Sequence, residues 1–217
     1  MKIVFIGTGL MGYPMAKNLI NKKLNLKVFS RTLEKAKPLE KLGAIIANSL
    51  GEAVKETDIV ITMLTDDNAV EKVLGDQEFL NNLKNPSTVI DMSSIKPKIS
   101  IQYGKLLKDR NIHFLDAPVS GGTIGAEEGS LAIMVGGDQN VFDEAFDTLK
   151  IMGNPTLVGP IGSGQVSKLA NQIIVGVTIG AVAEAITLCE KAGVDANKFI
   201  KALSGGFADG KILQNHG

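Results

Sequence analysis

The sequence predicts an α/β protein in which a doubly wound sheet is followed by an all-helical, incomplete second domain. Three observations support this prediction. Short apolar segments alternate with helical segments over roughly the first 160 residues, which is the pattern of repeated βαβ units. A glycine motif directly follows the first apolar segment. From residue 164 onward the sequence becomes helical, with almost no charge between Lys168 and Glu184.

The first element is a short buried strand over Lys2–Ile6, which leads into a glycine turn and a helix. Gly7, Gly9 and Gly12 form the pattern G-x-G-x-x-G. The first glycine permits the tight turn, the second lets backbone approach a pyrophosphate, and the third lets the helix pack on its strand. Because a helix N-terminus also offers N–H groups to phosphates, we predict a Rossmann-type dinucleotide site. The turn contributes Gly7, Gly9, Leu10, Met11 and Gly12.

Composition narrows the classes of function. The chain has 217 residues, 44% of them hydrophobic, which is enough for a packed core. Lys+Arg and Asp+Glu balance at 23 each, so nucleic acid is not an expected partner. A single cysteine, two distant histidines and no paired-ligand pattern argue against a metal site. We therefore expect a cytoplasmic protein with no membrane segment.

The end of the second predicted strand, residues 26–29, selects the cofactor. An NAD site usually has Asp or Glu there, whereas an arginine suits the 2'-phosphate of NADP. This sequence has Ser30, Arg31 and Thr32. The pattern predicts NADP, with NAD possible. The alternative is that Arg31 is merely solvated or stacks on the adenine.

A helix is expected over residues 33–42. After it, two further predicted strands, residues 58–64 and 88–92, should end at the same edge of the sheet. Met63 and Leu64 are expected to border the nicotinamide, because ligands of open α/β sheets lie beyond the carboxyl ends of the strands. Ser93 and Ser94 could reach the cofactor or substrate through their hydroxyls. Alternatively, Met63 is core packing and the serines are helix caps.

Residues 116–129 are predicted to form a glycine-rich loop at this edge. Ser120, Gly121 and Gly122 follow a strand end, and successive glycines can turn backbone N–H groups into an anion-binding concavity. We expect the carboxylate of a small substrate there. The alternative is a flexible turn.

The second region should begin with one long buried helix over residues 164–192, with further helices over 195–203 and 210–215. We place the dinucleotide-binding domain at residues 1–161 and an all-α substrate and dimerisation domain at 162–217. The long helix is too polar at its start for a membrane span. Its small residues suit contact with another helix, which predicts a homo-oligomer.

Lys168 and Asn171 are three residues apart on this helix and so share a face. Desolvation could lower the pKa of Lys168 toward the range of a general acid or base. Lys168 could then deliver a proton to an alkoxide during reduction, while Asn171 holds the lysine or a substrate hydroxyl. The alternative is a solvated surface lysine.

Four motifs, GTGLMGYPMAKNL, DMSSI, DAPVSGGTIGAEEGSL and GSGQVSKLANQ, resemble those of the β-hydroxyacid dehydrogenases. The family includes 3-hydroxyisobutyrate dehydrogenase, tartronate semialdehyde reductase and glyoxylate/succinic semialdehyde reductases. The resemblance implies that the glycine turn holds pyrophosphate and that Ser120, Gly121 and Gly122 hold the substrate carboxylate. It also implies that Lys168 is the acid/base, assisted by Asn171. Residues 30–32 are similar to those of NADP-using members.

One departure from the family is its length. Members of this family continue for several tens of residues past the equivalent of Gly217 and carry a further lysine that helps to bind substrate and cofactor. The resemblance therefore leaves three alternatives: a fragment, a chain covered by a partner subunit, or a non-catalytic dinucleotide-binding or dimerisation module. The predicted function is the interconversion of a small β-hydroxy acid and its semialdehyde, with glyoxylate or succinic semialdehyde reduction as the alternative.

Overall fold

A mostly parallel sheet organises the first part of the chain. The computed structural model describes residues 1–216, and over this range nine strands form one sheet. The strands are β1 (Lys2–Ile6), β2 (Asn25–Phe29), β3 (Ile45–Ile46), β4 (Ile59–Thr62), β5 (Thr88–Asp91), β6 (His113–Asp116), β7 (Val119–Ser120), β8 (Leu131–Gly136) and β9 (Gly153–Gly159).

Helices connect these strands and continue after them. They are α1 (Gly12–Asn21), α2 (Lys37–Glu40), α3 (Leu50–Val54), α4 (Asp67–Leu74), α5 (Gln77–Asn82), α6 (Pro97–Lys108), α7 (Gly122–Glu128), α8 (Gln139–Lys150), α9 (Ser163–Lys191), α10 (Ala196–Ala202) and α11 (Lys211–His216). A 3₁₀ turn at Leu33–Lys35 precedes α2.

The strand order is β3-β2-β1-β4-β5-β6-β8-β7, with β9 paired to β8. Strands β1 to β6 are parallel to one another, whereas β8 runs antiparallel to β6 and β7. The chain order reverses at β1, which lies between β2 and β4. A crevice opens beyond the carboxyl ends of the strands at such a reversal, and ligands of doubly wound sheets bind there. The predicted fold class is confirmed.

Helices cover both faces of the sheet at its centre, which explains why β1 and β4 are nearly continuous apolar runs. Along β1, Ile3 and Phe5 belong to one buried cluster, with Met15 and Leu19 of α1. Val4 and Ile6 belong to the other, with Phe79 of α5. Each face of β1 therefore has its own hydrophobic core.

Three local expectations were incomplete or wrong. Helices α4 and α5 were not predicted; each begins after an aspartate whose side chain accepts a backbone N–H, Asp66 from Ala69 and Asp76 from Phe79. Residues 116–129 are not a loop throughout, because they include β7 and α7. The helix expected over residues 33–42 is a 3₁₀ turn followed by one short helix.

The chain divides into two units, Met1–Lys168 and Leu169–Gly217, so that the division falls inside α9. The expectation that α9 is buried is wrong: over the described residues its buried positions are Gly164 and Gln165. Apolar side chains along it are exposed, including Ile173 at 68% and Val177 at 69%. By length and composition alone this helix could cross a membrane. The domain boundary at 161/162 stays a prediction.

Candidate active site

At two positions of the turn between β1 and α1, close contacts with neighbouring backbone require a glycine. Gly7 has a φ of +101°, and a Cβ on it would lie 2.3 Å from the Met63 backbone oxygen. A Cβ on Gly12 would lie 1.9 Å from the Gly7 backbone oxygen. These two glycines let α1 and the end of β4 approach the turn closely, whether or not a ligand is bound.

Gly9 differs, because protein packing does not require a glycine there. A Cβ on Gly9 would meet nothing within 4 Å among the described residues. Met11, the N-cap residue of α1, makes no side-chain capping hydrogen bond within the part of the chain that the structure describes, and the neighbouring Leu10 is 86% exposed. The hydroxyl of Thr8 is buried without a hydrogen-bond partner in the described part of the chain. An open glycine, an uncapped helix start and an unpaired hydroxyl fit a bound pyrophosphate.

A cavity of about 760 Å³ adjoins this turn. It is lined by two lysines that were not predicted from the sequence as cofactor-binding residues. Its lining includes Thr8, Gly9, Lys17 and Lys35. Lys35 follows Arg31 by four residues, shortly after the end of β2. Its position near Arg31 was the feature of the sequence that could have identified it as a second basic residue near the cofactor.

The predicted cofactor-selecting residues lie at the end of β2. Ser30 is buried, whereas Arg31 and Thr32 are exposed. Arg31 is therefore accessible to a ligand phosphate beyond this strand end.

The ends of β4 and β5 are joined by the Ser93 hydroxyl. This hydroxyl donates to the Asp91 carboxylate at 2.6 Å and accepts the backbone N–H of Leu64 at 2.9 Å. Ser93 is fully buried, whereas Ser94 exposes its side chain and lines a cavity of about 480 Å³ with Thr65 and Lys96. Met63 and Leu64 are half-buried. Ser94 is the serine whose side chain can meet a ligand, while Ser93 fixes the strand ends.

Asp116, at the end of β6, was not identified from the sequence. Its carboxylate accepts the backbone N–H of Gly162 at 2.7 Å and that of Gln165 at 2.9 Å. Burial raises the pKa of Asp116 to about 6, although the hydrogen bonds from these two N–H groups oppose the rise. Asp116 therefore fastens the beginning of α9 to the sheet.

Gln165 makes a second connection at the same place. Its side-chain amide donates to the Ser93 backbone oxygen at 2.8 Å, and its side-chain oxygen accepts the Ile95 N–H at 3.0 Å. Lys168 is three residues further along α9 and half-buried. Desolvation lowers the pKa of the Lys168 ammonium, which is the shift expected of a lysine that acts as an acid or base near neutral pH.

The segment around Ser120 consists of a short strand followed by a helix. Ser120 pairs with Ala132 of β8 and is half-buried. Gly121 has a φ of +138° and Gly122 of +63°, and α7 begins at Gly122. A Cβ on Gly122 would meet nothing within 4 Å in the described chain. Positive-φ residues at a helix start can direct successive N–H groups at an anion.

Asn171 lies in the second unit, on the continuation of α9. Its side-chain amide donates to the side-chain oxygen of Gln172 at 3.0 Å. Its assistance to Lys168 stays a prediction.

Comparisons with known proteins assign the chain to a protein family. The model for the NAD binding domain of 6-phosphogluconate dehydrogenase matches residues 2–176, and that for the NAD-binding domain of NADP-dependent 3-hydroxyisobutyrate dehydrogenase matches residues 162–217. The 2-hydroxy-3-oxopropionate reductase of Escherichia coli is 42% identical over 219 residues, covering 100% of this chain and 75% of that protein. The chain belongs to the β-hydroxyacid dehydrogenase family.

Other members of the family agree with this assignment. A probable mitochondrial 3-hydroxyisobutyrate dehydrogenase-like protein of Arabidopsis thaliana is 35% identical, covering 100% of this chain and 65% of its own. The structure of Mycobacterium tuberculosis 3-hydroxyisobutyrate dehydrogenase with L-serine matches with a TM-score of 0.90 and 32% identity, covering 99% of this chain and 73% of that one. The β-hydroxyacid dehydrogenases are NAD(P)-dependent oxidoreductases.

Proposed function

We propose that this chain is an NADP-preferring dehydrogenase that interconverts a small β-hydroxy acid and its semialdehyde by hydride transfer. The observation that carries this proposal is the half-buried Lys168, whose pKa is lowered by desolvation. It lies in the first turns of a helix that is hydrogen-bonded to the carboxyl ends of β5 and β6. A lysine with a lowered pKa can give up its proton at neutral pH more readily than a solvated lysine.

The glycine turn would hold the dinucleotide. The N–H groups of Gly9, Leu10 and Met11 would bind the pyrophosphate at the start of α1, with Gly7 and Gly12 keeping the turn close to β4. Met63, Leu64 and Ser94 would border the nicotinamide half. When bound, the nicotinamide supplies or accepts the hydride.

The substrate would be held by its carboxylate at Ser120, Gly121 and Gly122. Lys168 would then give a proton to the oxygen that becomes the hydroxyl, or take it in the reverse direction, while Asn171 orients the lysine or that oxygen. The Escherichia coli relative is a 2-hydroxy-3-oxopropionate reductase, and a 2-hydroxy-3-oxopropionate carries an aldehyde that one carbon atom separates from its carboxylate. This is the class of substrate that these groups would suit.

The preference for NADP would come from Arg31 and Lys35. Arg31 is exposed at the end of β2, and Lys35 lines the cavity beside Gly9. Two basic side chains near the ribose position would stabilise a 2'-phosphate through charge-assisted hydrogen bonds.

We further propose that the protein acts in the cytoplasm as a homo-oligomer, without membrane or nucleic-acid partners. The exposed apolar residues of α9 support self-association, since large exposed apolar surfaces mark interaction sites. The same face is the observation that favours a second candidate function, a non-catalytic dinucleotide-binding or dimerisation module.

Turnover separates these alternatives. The purified chain should oxidise NADPH with one of four aldehyde acids: 2-hydroxy-3-oxopropanoate, methylmalonate semialdehyde, glyoxylate or succinic semialdehyde. Lys168→Ala should lower kcat about 100-fold or more, the size of a general acid's contribution, and leave NADPH affinity within about twofold. Lys191→Ala, at the other end of α9, is the matched control and should leave the rate unchanged.

Two results would reject this proposal. A normal rate in Lys168→Ala would exclude Lys168 as the acid. Tight NADPH binding without turnover of any of the four substrates would favour the module.

A further inference from the structure

The beginning of α9 is attached to the sheet by side chains that the proposed chemistry does not use. We propose that Asp116 and Gln165 are positioning residues, which lock the first turn of α9 to the carboxyl edge of the sheet and so fix the place of the Lys168 ammonium. This inference rests on the proposed function, in which Lys168 is the acid.

Asp116 holds the backbone at the start of the helix. One carboxylate oxygen accepts the Gly162 N–H and the other accepts the Gln165 N–H. The approach is so close that a Cβ on Gly164 would lie 2.6 Å from the Asp116 backbone oxygen, and a Cβ on Gly136 would lie 2.4 Å from its side-chain oxygen. The helix start therefore has little room to shift relative to β6 and β8.

Gln165 holds the same turn to the neighbouring strand end. Its bonds to Ser93 and Ile95 use both the donor and the acceptor of the side-chain amide, and Gln165 is 1% exposed. Ser93 in turn bonds to Asp91 and to the backbone N–H of Leu64. A continuous set of hydrogen bonds therefore connects the ends of β4 and β5 to the helix turn that precedes Lys168.

This arrangement matters because Lys168 follows Gln165 by three residues, and residues at that spacing share a helix face. Motion of the first turn would carry the ammonium with it and change how far it is desolvated. Small displacements of catalytic groups are costly, since about 1 Å of misplacement can lower a rate about 100-fold. The two side chains would thus act on the reaction through Lys168 without touching substrate or cofactor.

The test uses Gln165→Met, which keeps the side-chain length and removes both amide hydrogen bonds, and Asp116→Asn, which removes one acceptor. Asp138→Asn is the matched control, because Asp138 accepts the N–H groups of Asn140 and Val141 at the start of α8, away from Lys168 in the sequence. Circular dichroism establishes which variants are folded. If Asp116→Asn does not fold, Gln165→Met decides.

The first readout is the pH profile of Lys168 acylation by acetic anhydride, followed by peptide mass spectrometry. In the wild type Lys168 should react at lower pH than a solvated lysine. In both variants the midpoint should move upward, and in Asp138→Asn it should not move. An unchanged midpoint in folded Gln165→Met and Asp116→Asn would overturn the inference. This readout requires no turnover, so it remains decisive if the proposed dehydrogenase activity is absent.

The second readout is steady-state kinetics with NADPH. Where the wild type turns over, Gln165→Met should lower kcat about tenfold or more, with KM for NADPH within about twofold, as expected when placement of a catalytic group is disturbed. A rise in KM with unchanged kcat would instead assign Gln165 to binding and overturn the positioning role.

Discussion

Asp91 and Asp116 are in register on the neighbouring parallel strands β5 and β6, and both are completely shielded from solvent. Burial raises the pKa of both carboxyls, and the charge of Asp91 adds to the rise at Asp116. One oxygen of Asp91 has no hydrogen-bond partner in the described chain. Two buried acidic groups therefore lie side by side at the strand ends that would hold cofactor and substrate. One of them, Asp116, is hydrogen-bonded to the start of the helix that carries Lys168.

The first prediction concerns Asp116 and pH. Its folded-state pKa of about 6 lies above the ordinary value of 3.8, so the native state binds a proton that the unfolded state has released between these values. The contribution of this group to the free energy of unfolding is therefore greatest below about pH 4. It decreases as the pH rises through about 6, and the total decrease is at most about 3 kcal/mol.

Urea denaturation of wild type and Asp116→Asn from pH 4 to pH 7 measures this contribution. The stability of the wild type relative to the variant should fall as pH rises and become constant above about pH 7. A difference that stays constant or rises across the same range would show that the pKa of Asp116 is not raised in the folded protein.

The second prediction separates two glycines of one motif. Gly12→Ala should destabilise the fold by at least about 2 kcal/mol, because its Cβ would lie 1.9 Å from the Gly7 backbone oxygen. Gly9→Ala should keep the stability or raise it by up to about 1 kcal/mol, since its Cβ would enter open space.

Gly9→Ala should nevertheless weaken NADPH binding about tenfold or more, because the methyl group would block hydrogen bonds to the pyrophosphate. Isothermal calorimetry and thermal denaturation of both variants distinguish the two effects. Unaltered NADPH affinity in Gly9→Ala would show that the pyrophosphate does not lie against this residue.

The sheet could be predicted from the sequence because both of its faces are covered and its central strands are therefore continuous apolar runs. Helices α4 and α5 were missed because they are short and largely polar, and their signals are the capping aspartates Asp66 and Asp76 rather than a long apolar period. The antiparallel strand β7 was not predicted because it has only two residues, which is too short to show an alternation of apolar and polar side chains.

The site could be predicted where a motif reports a local backbone shape, as at Gly7, Gly9 and Gly12. The attachment of α9 could not, since the bonds of Asp116 and Gln165 join residues 46 to 72 positions apart. Nothing local in the sequence distinguishes a buried aspartate at a strand end from an exposed one. Such contacts become visible only once the strands are placed side by side.

The third prediction concerns cofactor choice. Arg31→Asp should lower NADPH affinity about 10- to 100-fold, the effect of losing a charge-assisted hydrogen bond, and should leave NADH affinity equal or higher. Lys35→Ala should cause a smaller loss in the same direction. Arg110→Asp is the control for the charge change, because Arg110 precedes β6 and so lies at the amino ends of the parallel strands, whereas Arg31 follows the carboxyl end of β2. An unchanged ratio of NADPH to NADH affinity in Arg31→Asp would show that Arg31 does not bind the 2'-phosphate.

The fourth prediction concerns the exposed face of α9. Ile173 and Val177 are one helical turn apart and about two-thirds exposed, so replacing both by glutamate should cost little within one chain but should prevent apolar association. Light scattering after gel filtration should find a wild-type oligomer and a monomeric double variant with unchanged circular dichroism. Lys105→Glu with Lys108→Glu is the control, because it introduces two acidic residues on a different helix, α6 of the first unit, and it should leave the oligomer intact. A wild type that is monomeric at micromolar concentration would refute self-association, and flotation of that monomer with lipid vesicles would refute the exclusion of a membrane partner.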